Sequence, residues 1–443
     1  MSCKFPMGVA TIYKPKGLLI ICFLFTFLIS CTPVNLVEDN EKKQIEIKKN
    51  DQKITTIEKE IKYIEEKTIS EKNNLIDLKN TKLDKTITVL LKKNGSKINN
   101  QFINVLELAV FEKNFQQINL EFKFFNNTKE LESIIADTKK VGKIYIGPID
   151  SNSTSFVSKF CKNGLMFFSF SSNANLAQDC VFLLNFFPKN ELDQLFKYLE
   201  NDSKVALLYP ENSYGYLINS LIDEVANKSN AVIVNRSSYK NDLSNVRESI
   251  KELGKYNLRK YELDRQKKIL ITKNDSLSKK RLKKLEKFKT TTDYDFTHIL
   301  IADYGINMLQ VAPLLPYYDI DPEIVQFMAT GVIDDDNFFY EPSLQGAIFP
   351  GIEKNKRSML LKQYSSLYDE NFNRISTLPY DLIGLLNFAY SKNMTVYRLN
   401  ILLNSPDKKF DGVDGNFYFK NNMIERDLQI LKINKGNASK VSQ

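Results

Sequence analysis

The sequence predicts an α/β protein built on parallel sheets, and three observations lead there. From Ile87 onward, short apolar runs alternate with stretches of helical period. Such βα alternation implies parallel strands joined by right-handed crossovers. Residues 143–177 show one unit in full: an apolar run at 144–146, Gly147-Pro148, the polar cluster Asp150-Ser151-Asn152-Ser153-Thr154, a helical stretch, and a second apolar run at 165–170 that stops at Ser171-Ser172-Asn173. Strand, turn, helix, strand, turn is a βαβ unit. Finally, 443 residues exceed one ordinary domain.

Both strands of that unit end in small hydroxyl residues. Ligands of open parallel sheets sit beyond the carboxyl ends of the strands, and N–H groups at a helix start favour an anion. Ser151, Ser172 and Asn173 are therefore candidate ligand contacts. The competing reading is that they only cap helices.

Hydrophobic content of 43% is enough for sizeable cores. Trp is absent and His298 is the only histidine, which excludes a multi-His metal site or a metalloprotease helix. His298 lies in a buried-strand pattern at 296–300 and reads as structural. No metal or other cofactor is expected.

The chain opens with a targeting pattern. Lys4, Lys14 and Lys16 form a basic region, and the apolar run at 17–29 is too short to span a bilayer comfortably. It ends at Leu28-Ile29-Ser30-Cys31, which resembles a bacterial lipobox. Residues 1–30 are then a signal peptide and Cys31 is the lipidation site, a membrane anchor. Thr32 stands where an Asp commonly marks inner-membrane retention in such lipoproteins, so the expected location is the outer membrane, facing the periplasm. Cleavage removes three lysines and no acids, taking the formal charge from +9 to +6. Cys161 and Cys180 remain, a pair in an oxidising compartment, and a disulfide between them is predicted; the alternative is two small buried apolar residues.

Residues 31–85 are highly charged and lack glycine. Apolar residues at Ile47, Ile54, Ile57, Ile61, Ile64, Leu75 and Leu78 fit heptad positions, with polar breaks at Asn50, Thr68 and Glu71. A long N-terminal helix or coiled coil of roughly 70 Å is predicted, against the alternative of a charged, partly disordered linker.

The globular elements follow in order. Strands are predicted at 87–91, 118–124, 144–146, 165–170, 181–186, 205–209, 231–235, 298–302, 324–328 and 345–349, each a short apolar run bounded by turn residues. Helices are predicted near 100–111, 129–140, 191–199, 217–227, 243–253, 308–315, 358–368 and 379–391. Pro313 should kink or end the sixth of these, and Gly254 ends the fifth. Residues 410–419 read as a turn and a strand, with a hairpin partner at 428–433.

Residues 255–290 break the rhythm with fourteen Lys/Arg against four Asp/Glu. This local excess of +10 leaves the remainder of the mature chain at −4. Lipid headgroups, wall polymers or an acidic protein are natural partners; the plainer reading is a solvated helical insertion. Nucleic acid is not an expected partner of an exported lipoprotein.

Several short blocks carry a family resemblance: Ile146-Gly147-Pro148, Phe168-Ser169-Phe170-Ser171-Ser172-Asn173, Tyr209-Pro210-Glu211-Asn212-Ser213-Tyr214-Gly215, Ala312-Pro313-Leu314-Leu315-Pro316-Tyr317-Tyr318-Asp319, Tyr380-Asp381 and Asp411-Gly412-Val413-Asp414-Gly415. Behind a lipoprotein signal, the chain resembles the two-lobed type I periplasmic binding-protein fold, and within it the penicillin-binding-protein activator (LppC/LpoA-like) lipoproteins. The resemblance implies lobe 1 at 86–187, completed by about 350–403, and lobe 2 at 188–349, completed by about 404–434. The insertion 255–290 falls in lobe 2, and 435–443 form a disordered tail. It implies a non-enzymatic, lipid-anchored regulator of peptidoglycan synthesis whose partner is a peptidoglycan synthase or another envelope protein. The alternative is a solute-binding protein for amino acids or similar small molecules. In amino-acid-binding members the ligand lies between the lobes; Ser151 and Ser172 match the turn positions, Tyr214 a cleft-wall aromatic, and Asp303 and Tyr304 a further cleft-facing turn. Those members place an acid near the turn at Thr330-Gly331 to meet the ligand amine. Here Gly331 stands there, and Asp334, Asp335 and Asp336 come later.

Overall fold

The computed structural model describes residues 78–441, except 116–117, 137–140, 162–163, 274 and 406. The expected signal peptide, Cys31 and nearly all of the stretch expected to form an N-terminal helix lie outside the described residues.

In chain order the elements are β1 (Thr86–Lys92), α1 (Lys97–Glu112), β2 (Asn119–Phe125), α2 (Thr128–Ala136), β3 (Ile144–Ile146), α3 (Ser151–Val157), β4 (Met166–Ser169) and β5 (Val181–Leu183). Next come α4 (Pro188–Tyr198), β6 (Lys204–Pro210), α5 (Ser213–Ser229), β7 (Val232–Tyr239), α6 (Val246–Leu253), α7 (Tyr256–Ile271), α8 (Ser276–Leu285) and β8 (His298–Ile301). After these are α9 (Gly305–Val311), α10 (Leu314–Tyr317), β9 (Gln326–Met328), α11 (Asp336–Phe339), β10 (Ile348–Gly351), α12 (Asn355–Tyr368), α13 (Thr377–Ser391) and α14 (Val396–Leu403). Four strands close the chain: β11 (Phe417–Lys420), β12 (Met423–Arg426), β13 (Gln429–Asn434) and β14 (Asn437–Lys440).

Two seven-stranded sheets result, each the centre of one lobe. Their orders are β11-β12-β5-β4-β3-β1-β2 and β14-β13-β10-β9-β8-β6-β7. Pairing is parallel except at one edge of each sheet, where β11 meets β12 and β13 meets β10 and β14 antiparallel. The predicted α/β architecture of two lobes is thus the observed one. Helices cover both faces of the second sheet. Along β8, Ile299 and Ile301 enter one core while Leu300 and Ala302 enter the other, as the two-residue period of a doubly buried strand requires.

The chain crosses between lobes three times: after β5, after β10 and after β12. The first crossing lies between β5 and α4. The last crossing comes after Arg426, later in the chain than residue 403. Phe417–Lys420 does not pair with 428–433; it turns through Asn421 and Asn422 and pairs with Met423–Arg426. Both asparagines have positive φ, 51° and 58°, the left-handed pair of a tight hairpin turn that Asn tolerates well. So lobe 1 is completed through Arg426, and only the last two strands return to lobe 2. The tail pairs as a strand up to Lys440: β14 meets β13 from Leu431↔Lys440 to Asn434↔Asn437, because backbone groups at the β13 edge need partners. At the other end, residues up to 85 are not all tether. Leu83 is buried in the lobe 1 core, and Lys82 bridges Thr395.

Residues 255–290 form a helical hairpin, α7 and α8. Pro313 separates α9 from α10, since its ring cannot continue the helix. Cys161 and Cys180 are joined, with Cα atoms 5.3 Å apart.

Candidate functional site

A cleft of about 740 Å³ opens between the lobes. Lobe 1 contributes Ser172, Asn185, Phe186 and the turn Phe372-Asn373-Arg374-Ile375; lobe 2 contributes Glu191, Ser213, Tyr214, Tyr304, Gly331, Asp334 and Asp335, among others. Strand ends and helix starts supply most of the wall, as expected for parallel sheets.

The lobe 1 wall is laced by hydroxyls. The Asp150 carboxylate accepts the Ser153 N–H at 2.9 Å and starts α3. Thr154 and Ser169 hydroxyls are 2.6 Å apart, and those of Ser151 and Ser171 are 2.8 Å apart. These bonds fasten the start of α3 to the end of β4. Ser151 is therefore placed beside Ser171, one residue from Ser172, but it is not among the lining residues. Its role is to hold the loop. Ser172 is exposed and lines the cleft. Asn173 turns away, accepting the Asn175 N–H at 3.2 Å to cap a short turn.

On lobe 2, Tyr214 and Tyr304 meet edge to face with centroids 5.3 Å apart and form an aromatic wall. The Tyr214 hydroxyl bonds that of Thr330, which is fully buried. Asp303 differs from expectation: it is buried and faces inward. It accepts the Tyr239 hydroxyl at 2.5 Å and the Tyr304 N–H at 2.8 Å. A desolvated carboxylate takes the nearest donors, and burial raises its pKa.

One acid of the cleft, buried at the turn that holds Gly331, is Glu191 in the first turn of α4. Its carboxylate accepts the Gly331 N–H at 2.9 Å. A Cβ at position 331 would stand 2.6 Å from Glu191 Oε1 and 3.0 Å from the Pro350 carbonyl. Glycine at the turn therefore makes room for a carboxylate delivered from elsewhere in the chain. Burial pushes the Glu191 pKa up to about 7, against the opposing pull of Arg374 and the Gly331 N–H. Sequence reasoning missed this residue because an acid in a first helical turn reads as an ordinary dipole partner. Asp334, Asp335 and Asp336 have separate tasks. Asp335 caps α11 and lines the cleft, while Asp336 pairs with Lys354 at 2.6 Å.

Asp334 belongs to a buried ionic network at the crossings. Arg357 donates to Asp334 at 2.8 Å and to Asp414 at 2.7 Å. Arg374 also bonds Asp414, at 2.8 Å, approaches Asp334 at 3.1 Å, and stacks over Phe186 at 4.5 Å. The Arg374, Arg357 and Arg426 guanidiniums overcome the burial penalty and hold the Asp414 carboxyl well below its usual range. Asp381 behaves oppositely. Burial outweighs Arg426, 3.2 Å away, and its pKa rises to about 6. Asp381 also accepts the Val413 N–H at 2.8 Å. A Cβ on Gly412 would lie 2.5 Å from Asp381 Oδ2, so this close approach needs glycine.

His298, outside the cleft lining, bonds the Thr297 hydroxyl at 2.8 Å, and burial lowers its pKa. Among the described residues no group of His, Cys, Asp and Glu could hold a metal ion. What the cleft offers is recognition chemistry: hydroxyls, amides, an aromatic wall, the carboxylates of Glu191, Asp334 and Asp335, and the Arg374 guanidinium.

No family model and no curated protein matches the sequence. Solved structures do match in fold. A putative branched-chain amino acid ABC transporter protein from Rhodospirillum rubrum superposes with a TM-score of 0.61 at 13% identity, over 81% of this chain and 100% of that one. A branched-chain amino acid ABC transporter periplasmic ligand-binding protein from Burkholderia xenovorans gives 0.57 at 9%, over 81% and 95%. An ABC transporter substrate-binding protein from Desulfitobacterium hafniense, in complex with Leu, gives 0.51 at 17%, over 80% and 99%. The two lobes and the mostly parallel sheets match the type I periplasmic binding-protein fold.

Proposed function

We propose that the protein is a non-enzymatic solute-binding protein that holds a small zwitterion of the amino-acid type between its lobes. One observation carries this reading: Glu191 stands in the cleft wall as an acceptor for an ammonium group, with Ser172 and Asn185 on the facing lobe. Glu191, which accepts the Gly331 N–H, supports such a ligand at a turn whose own residue is glycine. Tyr214 and Tyr304 would cover an apolar side chain. A membrane transporter or a sensor is the natural recipient of the bound solute.

The resemblance to wall-synthase activators rests on blocks that the fold itself accounts for. Asp381, Gly412 and Asp414 build the ionic network at the crossings, and the 168–173 block fastens α3 to β4. These blocks therefore mark the two-lobed frame more than a synthase partner. Lipid anchoring at Cys31 in the outer membrane remains part of the proposal, and the Cys161–Cys180 bond agrees with an oxidising compartment.

The test is a thermal-shift and calorimetric screen against amino acids, small amines and wall fragments. A ligand at one hundred times its Kd should stabilise the fold by about 2.7 kcal/mol. An unchanged melting temperature across the panel would remove the proposal.

A further inference from the structure

Helices α7 and α8 stand between α6 and β8 and take no part in the cleft. The hairpin is nonetheless rigidly seated. Arg259, 4% exposed, donates to the carbonyl of Gly254 at 2.7 Å, the hydroxyl of Thr290 at 2.8 Å and the carbonyl of Thr291 at 2.8 Å. It reaches Asp319 and Tyr318 carbonyls at 3.1 and 3.2 Å and stacks on Tyr294 at 4.6 Å. One side chain thus clamps both ends of the insertion to lobe 2, and Leu263 is buried beside it.

The opposite side of α7 is exposed. Residues 258, 261, 265 and 269 follow helical spacing along one stripe. Leu258, Tyr261 and Ile269 there are 62%, 67% and 43% exposed, with Arg265 and Lys268 among them. Toward the turn, Ile271 and Leu277 are 64% and 76% exposed. Lys279, Lys280, Arg281, Lys283 and Lys284 follow on α8, all exposed.

We propose that this hairpin docks on the surface of an anionic lipid bilayer. The excess of +10 over residues 255–290 supplies the attraction to acidic headgroups. The exposed aliphatic and tyrosine side chains decide between bilayer and soluble polyanion. A polyanion uses only the cations and leaves the apolar groups in water, whereas the interface of a bilayer accepts both. The inference stands apart from the cleft and does not depend on what the cleft binds.

The chain contains no tryptophan, so Tyr261→Trp in the full chain is a single reporter at an exposed position. However the rest of the chain meets a vesicle, this reporter reads only the hairpin. Vesicles of phosphatidylcholine with phosphatidylglycerol should move its emission to shorter wavelength, and added salt should weaken the effect. Vesicles of phosphatidylcholine alone should not. Charge reversal at Lys279, Lys280, Lys283 and Lys284 should lower the apparent partitioning roughly a hundredfold or more, with an unchanged circular dichroism spectrum. No shift with anionic vesicles, or an equal shift with neutral ones, overturns the proposal. So does undiminished vesicle binding by a Leu258→Ser, Ile269→Ser variant, which would assign the hairpin to a polyanion.

Discussion

The carboxylate of Glu191 and the main-chain N–H of Gly331 lie 2.9 Å apart, 140 residues distant in sequence. This contact puts an acid at the cleft turn without an acid in the turn's own sequence. Glu191→Gln keeps an acceptor for Gly331 and removes the charge. For a cationic ligand, the substitution should weaken binding by roughly tenfold or more, measured by calorimetry, with the melting temperature preserved.

The same carboxyl sets a pH dependence. Its pKa is about 7 in the fold against 4.5 as the reference. Between those values the unfolded chain releases the proton while the folded chain keeps it, so stability falls as pH rises across the window and levels off above it. The drop should amount to about 1–3 kcal/mol. Asp381, with its pKa at about 6, adds a slope of the same sign that ends lower. Urea titrations from pH 4 to 8 should show the upper part of the decline vanish in Glu191→Gln. Wild-type affinity for an ammonium ligand should rise up to about pH 7, as the carboxylate forms.

Tyr214 and Thr330 share a buried hydroxyl pair. Tyr214→Phe should cost about 1–2 kcal/mol of stability, because Thr330 is left without that partner in a desolvated site. Adding Thr330→Val should recover part of the loss. A double-mutant cycle checks this, and strictly additive effects would contradict the pairing.

Arg357 is nearly inaccessible, its side chain 4% exposed, and it bonds two carboxylates. Arg357→Ala should destabilise by about 3–5 kcal/mol, since buried carboxylates lose a counter-charge. Arg374→Ala, at 18% side-chain exposure, should cost less and alter ligand affinity more, because it lines the cleft. Comparing denaturant midpoints with ligand Kd for the two variants separates these roles.

The Cys161–Cys180 bond closes a loop with a sequence separation of 19. Replacing both with Ser should cost about 3 kcal/mol by loop-closure entropy. Reductant should lower the wild-type melting temperature and leave the double variant unchanged.

What the sequence made legible was what local pattern encodes. Strands such as 144–146 and 298–301 are bounded by turn residues, and Ser172, Tyr214 and Tyr304 sit where strand ends and helix starts meet. Asp303 shares that position but turns inward, because Tyr239 offers a donor that only packing brings near. Glu191, Arg374 and Asp414 were illegible as cleft or network residues for the same reason. Their partners lie far away in sequence, and each alone reads as an ordinary surface charge. The hairpin at 417–426 turns on Asn421-Asn422, a turn signal lying between the two stretches, 410–419 and 428–433, that the sequence suggests as partners.

The three crossings also bear on the order in which the protein can be assembled. The first sheet lacks β11 and β12, and the second lacks β13 and β14, until nearly all of the chain has been made. Neither lobe corresponds to one continuous stretch that could be produced by itself. A chain emerging from its N-terminal end must wait for its late segments before either half is finished, and a cut anywhere between β5 and β12 would divide the first sheet between two fragments.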